Sequence, residues 1–306
     1  MIGLFLLTLR ELRARKVVVG LFVVATIVWV ALAFALQLDI VDGSLAGARL
    51  FGQETAENDA SYEPGAPILD EDGQPVLDED GEPRRYDELP FGSASMLESV
   101  VFGAQAFVAG AGYWIGIVLA LFATGGLVAA LTERGQVDVI LTKPLSRSAV
   151  LAGRLLAVMA VMLALTTYLF GAVWLTMSIK SGLWNGRFLL AILVVFSMFA
   201  VVYSIVTLVG VWSGSGPLSF IVTLGVLFVS LILSIPTLQE QVSAAWRPVV
   251  TGGYHLLPKF GNVGSTMVPQ LATGGAVGSL YPLLSSLAFG AVCYAAAFVL
   301  FSRKDF

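Results

Sequence analysis

The sequence predicts an all-α integral membrane protein with six transmembrane helices. Of its 306 residues, 57% are hydrophobic and 12% are charged, a balance that excludes an ordinary soluble domain. Six nearly uncharged runs are each long enough to cross a bilayer, which takes roughly 17–25 apolar residues. We therefore expect a single membrane domain, 1–306, with spans at 17–38, 107–132, 150–178, 188–212, 218–235 and 279–301.

The first 16 residues predict an interfacial "elbow" helix that lies along the membrane surface. Leucines alternate there with cations, among them Arg10, Arg13 and Lys16, and such helices lie with their charges at the headgroups. The alternative is a signal peptide cleaved near residues 31–33. The uncharged run that follows is longer than the ~7–15 residues of a signal sequence, so an uncleaved span is expected.

A long acidic loop separates the first two spans, at residues 39–106. It holds 16 of the 21 acidic residues and contains a tandem Leu-Asp-Glu-Asp-Gly repeat starting at Leu69 and Leu77. Its Asp-Gly pairs indicate turns between short strands or extended segments. Clustered carboxylates are also the ligands of Ca²⁺, but the spacing is not that of an EF-hand. A solvated loop is expected, with a protein or metal ligand left open.

The loop between the second and third spans, 133–149, is short and net basic. Val137, Ile140 and Leu141 form the apolar stripe of a short amphipathic helix, which Pro144 ends. Ser146 is placed to cap the helix that follows. One interpretation is a solvated loop that only satisfies the positive-inside rule. The other is a docking element for a soluble cytoplasmic partner.

The distribution of basic residues predicts that both termini are cytoplasmic. Ten of the 17 Lys and Arg residues fall in the ends and loops assigned to the cytoplasmic side. The other seven are spread over a much longer outer sequence, which supports this orientation. The irregular segment 236–278 then lies on the outer side, before the last span.

The loop residues resemble a known family. Lys-Pro-Leu-Ser-Arg at 143–147, preceded by Glu133 and an apolar helix and followed by Gly153 and Arg154, is similar to the first cytoplasmic loop of ABC-2 type transporter permeases. The branch it resembles includes the nitrous-oxide-reductase maturation and gliding-motility permeases. Arg10–Arg13 resembles the elbow helix of that family, and Leu256–Pro258 resembles its outer re-entrant region.

This resemblance implies a permease subunit that works with a separate ABC ATPase and with a second permease chain, identical or related. In the family the loop is a coupling helix in a cleft of the ATPase, which implies the contact residues Glu133, Asp138, Ile140, Leu141, Lys143, Pro144 and Arg147. ATP and Mg²⁺ would bind to the partner, with no cofactor in this chain, which lacks a phosphate-binding P-loop motif. The implied location is the cytoplasmic (inner) membrane of a prokaryote.

No residue set in the sequence predicts an enzyme. His255 is the only histidine and has no Ser or Asp partners by motif, and Cys293 is the only cysteine. Ionisable residues are nearly absent from the six runs, which argues against an ion-driven carrier. We expect a permease that exports its substrate. The alternative is a membrane-anchored scaffold or mechanotransmission subunit whose 39–106 loop binds an extracytoplasmic protein. No nucleic-acid partner is expected.

Overall fold

The predicted architecture of six membrane-length helices is confirmed. The computed structural model describes residues 16–41, 44–50, 53–57, 74–75, 83, 96–129, 146–235, 243 and 246–304, and the statements below concern these residues. The second span is one continuous rod made of two α-helices and a π-helical turn. The spans are α1 Lys16–Ala35, α2 Met96–Ala111 with the π turn Gly112–Gly116 and α3 Ile117–Ala129, α4 Arg147–Ser181, α5 Leu190–Ser213, α6 Gly216–Leu233 and the last helix, Tyr281–Arg303.

Shorter elements lie between these spans. The acidic loop contributes a three-stranded antiparallel sheet in the order β1-β2-β3, with Leu36 paired to Leu50 and Gly47 paired to Glu57. A single 3₁₀ turn, Gly186–Leu189, precedes α5. Before the last helix come three short helices and a second π turn. These elements are β1 Leu36–Val41, β2 Ser44–Leu50, β3 Gln53–Glu57, α7 Arg247–Leu256, α8 Phe260–Asn262, the π turn Val263–Met267 and α9 Val268–Ala272; the last helix is α10.

Two boundaries differ from the sequence prediction. The helix that contains the predicted span 107–132 starts earlier than expected: α2 begins at Met96, within the predicted loop 39–106, and runs without a break into that span. Leu97, Val101 and Val108 are all buried, so one apolar face continues from this segment into the membrane helix. β1 begins at Leu36, inside the predicted span 17–38, because α1 ends at Ala35.

The bundle is built around α5. It packs most extensively against α10 and also against α3, α4 and α6. In its most apolar stretch 61% of the residues are buried, against 11% for α1. Lipid supplies no hydrophobic force between helices, so close packing of small residues has to hold them together. At Gly290 of α10 an added Cβ would lie 3.2 Å from Val201 Cα, which shows how closely α10 approaches α5.

Helix α1 is peripheral and is attached to α4 through Tyr168. The Tyr168 hydroxyl lies 3.0 Å from Thr26 Oγ1 and accepts a hydrogen bond of 3.0 Å from Trp29 Nε1. The ring of Phe22 stacks on Tyr168 with a centroid distance of 4.7 Å. A single polar side chain inside the bundle therefore holds most of the polar contact between these two spans.

Candidate functional site

The bundle has two ends, which we call the loop end and the insert end. The loop end is the end where α3, α5 and α10 finish and α4 and α6 start. The insert end is the opposite one, which carries the acidic loop and α7–α9. The residues predicted to contact the ATPase come between α3 and α4 in the sequence. Residues 130–145 lie outside the described residues. Glu133, Asp138, Ile140, Leu141, Lys143 and Pro144 are therefore not placed by the structure, and of this set only Arg147 is described.

The exit of the coupling loop is a capped helix start. Ser146 has an extended backbone, and its hydroxyl accepts a hydrogen bond of 3.3 Å from Ala149 N. This bond satisfies one of the free N–H groups at the start of α4. The cap predicted from the sequence is confirmed, and it starts α4 at Arg147, within the predicted loop 133–149.

Arg147 joins α4 to the ends of two other spans. Its Nη1 donates a hydrogen bond to the backbone oxygen of Lys304, just after α10. Lys304 Nζ in turn donates to Val211 O, 2.7 Å away in the last turn of α5. A cation at the C-terminal end of a helix is favoured by the free carbonyls and the helix dipole there. We call this chain of contacts, Arg147–Lys304–Val211, the loop-end clamp.

The entrance to the coupling loop is held by glycine contacts. A Cβ added at Gly216 would lie 3.0 Å from Gly126 Cα, so α6 and α3 meet backbone to backbone. A Cβ at Gly210 would lie 3.6 Å from Ala129 N, at the last residue of α3. Gly214, with φ of 67°, ends α5 in a left-handed turn that only glycine adopts easily, and α6 follows at once.

Arg154 is a buried cation inside a span. It lies two turns after Arg147 on the same face of α4, about 10 Å deeper, and is 6% exposed. A long cationic side chain near a helix end reaches toward the membrane surface. Its position at the loop end agrees with the net basic character that the sequence assigns to that end.

At the insert end, residues 247–272 form a compact hairpin that packs against α2, α6 and α10. Ser230 of α6 donates a hydrogen bond to Pro258 O, and Ser286 of α10 accepts one of 2.8 Å from Lys259 N. On the other side of the hairpin, Asn185 Nδ2 donates to Gln105 Oε1 at 2.9 Å and to Ala272 O at 2.8 Å. The hairpin is thus bonded to α6 and α10 on one side and to Asn185, in the connection between α4 and α5, on the other.

The two π turns meet where the hairpin contacts the second span. Tyr113, in the first π turn, stacks on Phe260 at 4.6 Å and donates a hydrogen bond of 2.6 Å to Phe260 O. Gly264, in the second π turn, lies so close that a Cβ there would be 2.4 Å from Tyr113 Cε1. π turns inside α-helices often occur at functional sites. Sequence reasoning missed this contact, because its residues are far apart in the chain.

An apolar cavity of about 190 Å³ lies between α1, the second span, α4 and α5. Its walls include Leu21, Ile115, Leu165 and Phe170. The hydroxyl of Thr166 is the polar group lining it, and that hydroxyl donates to Met162 O of its own helix at 2.8 Å. Such a lining suits an apolar guest and carries no acid or base for catalysis.

The intramembrane hydroxyl groups mostly stay within their own helices. Thr166, Ser204 and Thr207 each donate to a carbonyl three or four residues earlier. Tyr203 reaches across to Thr124 O at 3.4 Å. Thr166, Ser204 and Thr207 thus bond mainly to their own helices, and Tyr203 links α5 to α3. Among the described residues, no group of three or more His, Cys, Asp or Glu side chains could hold a metal ion.

A bundle of six membrane-length helices with a polar loop between its second and third spans defines a multi-pass membrane protein. The family described as ABC-2 family transporter protein matches residues 6–306, and the chain belongs to it. The match is to the family as a whole, so the closer resemblance to nitrous-oxide-reductase maturation and gliding-motility permeases stays a prediction. No curated protein matches the chain.

Proposed function

We propose that this chain is the permease subunit of an ABC-2 exporter, driven by ATP hydrolysis in a separate nucleotide-binding subunit. Membership of the ABC-2 family supports a membrane subunit of an ABC transporter. The ATPase contacts the coupling loop through Glu133, Asp138, Ile140, Leu141, Lys143, Pro144 and Arg147. ATP and Mg²⁺ bind to that partner, and this chain carries out no hydrolysis itself.

The observation that carries this proposal is the way both ends of the coupling loop are fixed to the bundle. Its entrance helix, α3, contacts α6 backbone to backbone at Gly126 and Gly216. Its exit helix, α4, is bonded through the loop-end clamp to the ends of α10 and α5. A displacement of the loop would then be passed through α3 and α4 to α6, α10 and α5, because the ends of α3 and α4 are tied to those helices.

The proposed orientation places the loop end in the cytoplasm of a prokaryote, with both termini inside. The charge distribution and the buried Arg154 support it. A second permease chain, identical or related, completes the transport pathway. Helices α1, α6 and α10 have the most free surface for it among the described spans, since only 11%, 22% and 22% of their most apolar stretches are buried.

The cargo that the structure favours is apolar or carries an apolar chain. The cavity beside α1 is lined almost wholly by hydrocarbon side chains. The weakly packed α1 forms one of its walls, so the cavity can open toward the bilayer when α1 moves away from α4. Export agrees with entry of such a cargo from the membrane.

A scaffold or mechanotransmission role is the second candidate. The sheet β1–β3 favours it, because it shows that the acidic loop begins with ordered structure continuous with α1. In that role an extracytoplasmic protein would bind the 39–106 loop.

The decisive experiment replaces Ile140 by aspartate in the complete complex. Loss of ATPase co-purification and of ATPase stimulation, with normal membrane insertion, is expected, because a charge would enter an apolar contact. Deletion of residues 69–84 is the matched control at the other side of the membrane. Unchanged coupling in Ile140→Asp would overturn the permease proposal. Loss of biological activity in the deletion variant with normal ATPase coupling would favour the scaffold.

A further inference from the structure

Lys259 is a buried cation with an unusual lack of partners. It lies between α7 and α8, is only 1% exposed, and its backbone N–H is fixed by Ser286 Oγ. Its Nζ makes no hydrogen bond in the part of the chain that the structure describes. Buried lysines are rare unless an anion accompanies them, so this ammonium group calls for an explanation.

Two tyrosine rings enclose this ammonium group. Lys259 Nζ lies 4.8 Å from the ring centroid of Tyr254 and 4.9 Å from that of Tyr281. His255 Nδ1 is 3.0 Å from the Tyr281 hydroxyl and holds that ring in place. Such cation–π contacts stabilise a cation by roughly 0.5–2 kcal/mol, less than the cost of burying an ammonium group. Burial accordingly lowers the pKa of Lys259.

The surrounding sequence offers no counter-ion. No acidic residue occurs between Glu240 and Asp305, a stretch that contains the whole hairpin and α10. The nearest formal charge in this segment is also cationic: Arg247 is exposed on α7. An anion that pairs with Lys259 therefore comes from outside this stretch of the chain.

The position of α7 indicates the kind of anion. Trp246, Val249 and Leu256 project from one side of this segment and are 61–71% exposed. An amphipathic helix with an exposed Trp and aliphatic residues on one face is typical of the membrane interface. That is the level of lipid phosphate groups, and α7 covers Lys259 there.

We propose that Lys259 binds the phosphate of an anionic headgroup at the membrane surface of the insert end. Tyr254 and Tyr281 form a cover of two rings over Lys259 Nζ. When a phosphate arrives, the rings separate and Nζ donates to a phosphate oxygen, with the Tyr281 hydroxyl as a second donor. The phosphate belongs to a membrane lipid or to a soluble phosphate compound. This site is remote from the coupling loop and does not depend on the proposed ATPase partnership.

The test uses the full chain in phosphatidylcholine nanodiscs and follows the midpoint of thermal unfolding. Phosphatidylglycerol is added in one arm and inorganic phosphate in the other. A ligand that binds only the folded state raises the midpoint. Lys259→Met removes the proposed site, and Arg247→Met removes one exposed cation from the same interfacial segment. Phosphatidylglycerol is expected to raise the midpoint of the wild type and of Arg247→Met, and to leave Lys259→Met unchanged.

Each remaining outcome decides a separate point. An equal shift with inorganic phosphate supports the site and assigns its ligand to soluble phosphate compounds. Equal losses in both variants would reduce the effect to general surface charge and overturn the proposal. A wild type that responds to neither source of phosphate would also overturn the proposal. A response that appears only after deletion of residues 69–84 would overturn it too, since the acidic loop would then occupy the site. If Lys259→Met does not fold, Tyr281→Phe, which removes the proposed second donor from an exposed side chain, is expected to weaken the response to phosphatidylglycerol.

Discussion

Replacing Gly264 by alanine is expected to loosen the hairpin from the second span. The new methyl carbon would lie 2.4 Å from Tyr113 Cε1 and 2.7 Å from Trp114 Cζ2. These distances are roughly 1 Å inside normal carbon contact. The Tyr113 side chain cannot easily move away from the new methyl group, because it is fully buried and its hydroxyl is bonded to Phe260 O.

The size of the effect follows from this overlap. Overpacking of a close contact costs about 1–3 kcal/mol. Because 1.4 kcal/mol corresponds to a factor of ten, the ratio of docked to undocked hairpin should fall by roughly 5- to 150-fold. The measurement is equilibrium unfolding of the purified chain in lipid nanodiscs, followed by tryptophan fluorescence, to which Trp114 at this contact contributes.

Two controls separate this contact from a general effect of alanine. A Cβ at Gly103, on α2, meets nothing within 4 Å, so Gly103→Ala should leave stability unchanged or slightly raised. In a Tyr113→Leu background the ring is gone and only the overlap with Trp114 remains, so Gly264→Ala should cost less, as a double-mutant cycle will show. Equal stability of the two alanine variants, or an undiminished cost without the Tyr113 ring, would refute the reasoning.

Three further predictions concern other contacts. Arg147→Met should weaken ATPase stimulation and lower the free energy of unfolding by about 1 kcal/mol, because it removes the loop-end clamp. Arg303 is exposed, so Arg303→Met should change neither quantity. Equal effects of the two variants on ATPase activity would contradict the prediction. Tyr168→Phe should destabilise the α1–α4 contact by about 0.6–1.7 kcal/mol, measured by unfolding in lipid, since it removes the acceptor of Trp29. Burial lowers the pKa of Lys259, so the unfolded chain binds that proton more tightly. The stability of wild type relative to Lys259→Met should therefore rise as pH increases toward the ordinary lysine pKa of about 10.4, and a flat difference would contradict the assignment.

The sequence predicts those features of the bundle that depend on local pattern. Span number follows from uncharged runs of sufficient length, and the start of α4 follows from Ser146, whose hydroxyl can cap only the residues just after it. The continuity of α2 with the second span was missed, because the polar Gln105 and the glycines near it weaken the apolar pattern there. Gln105 is in fact buried and accepts a hydrogen bond from Asn185, which no local pattern contains.

The residues of the candidate sites are even harder to recognise from local sequence pattern. Lys259 looks like any loop cation in the sequence, and its burial depends on tyrosines contributed by α7 and α10. Gly264 is one of 32 glycines, and only the approach of Tyr113 gives it a specific role. A single sequence carries no signal for such pairs, because residues 147 positions apart, like Tyr113 and Phe260, are paired by the fold and not by their neighbours.

Helix α10 gives the two ends of the bundle a common element. At the loop end it leads into Lys304, which is bonded to Arg147 and to the end of α5. At the insert end it supplies Ser286 and Tyr281, which hold the backbone and cover the side chain of Lys259. Between these ends it is fastened to α5 by the close contact at Gly290 and by the hydrogen bond of 2.8 Å from Tyr294 to Ala200 O.

A 23-residue helix is about 35 Å long, so α10 extends the full thickness of the membrane as one rod. We expect a shift imposed on the loop-end clamp to move Tyr281 relative to Tyr254, because Tyr281 belongs to α10 and Tyr254 lies on α7. At the opposite surface, we expect such a shift to change first the separation of the two tyrosine rings that cover Lys259.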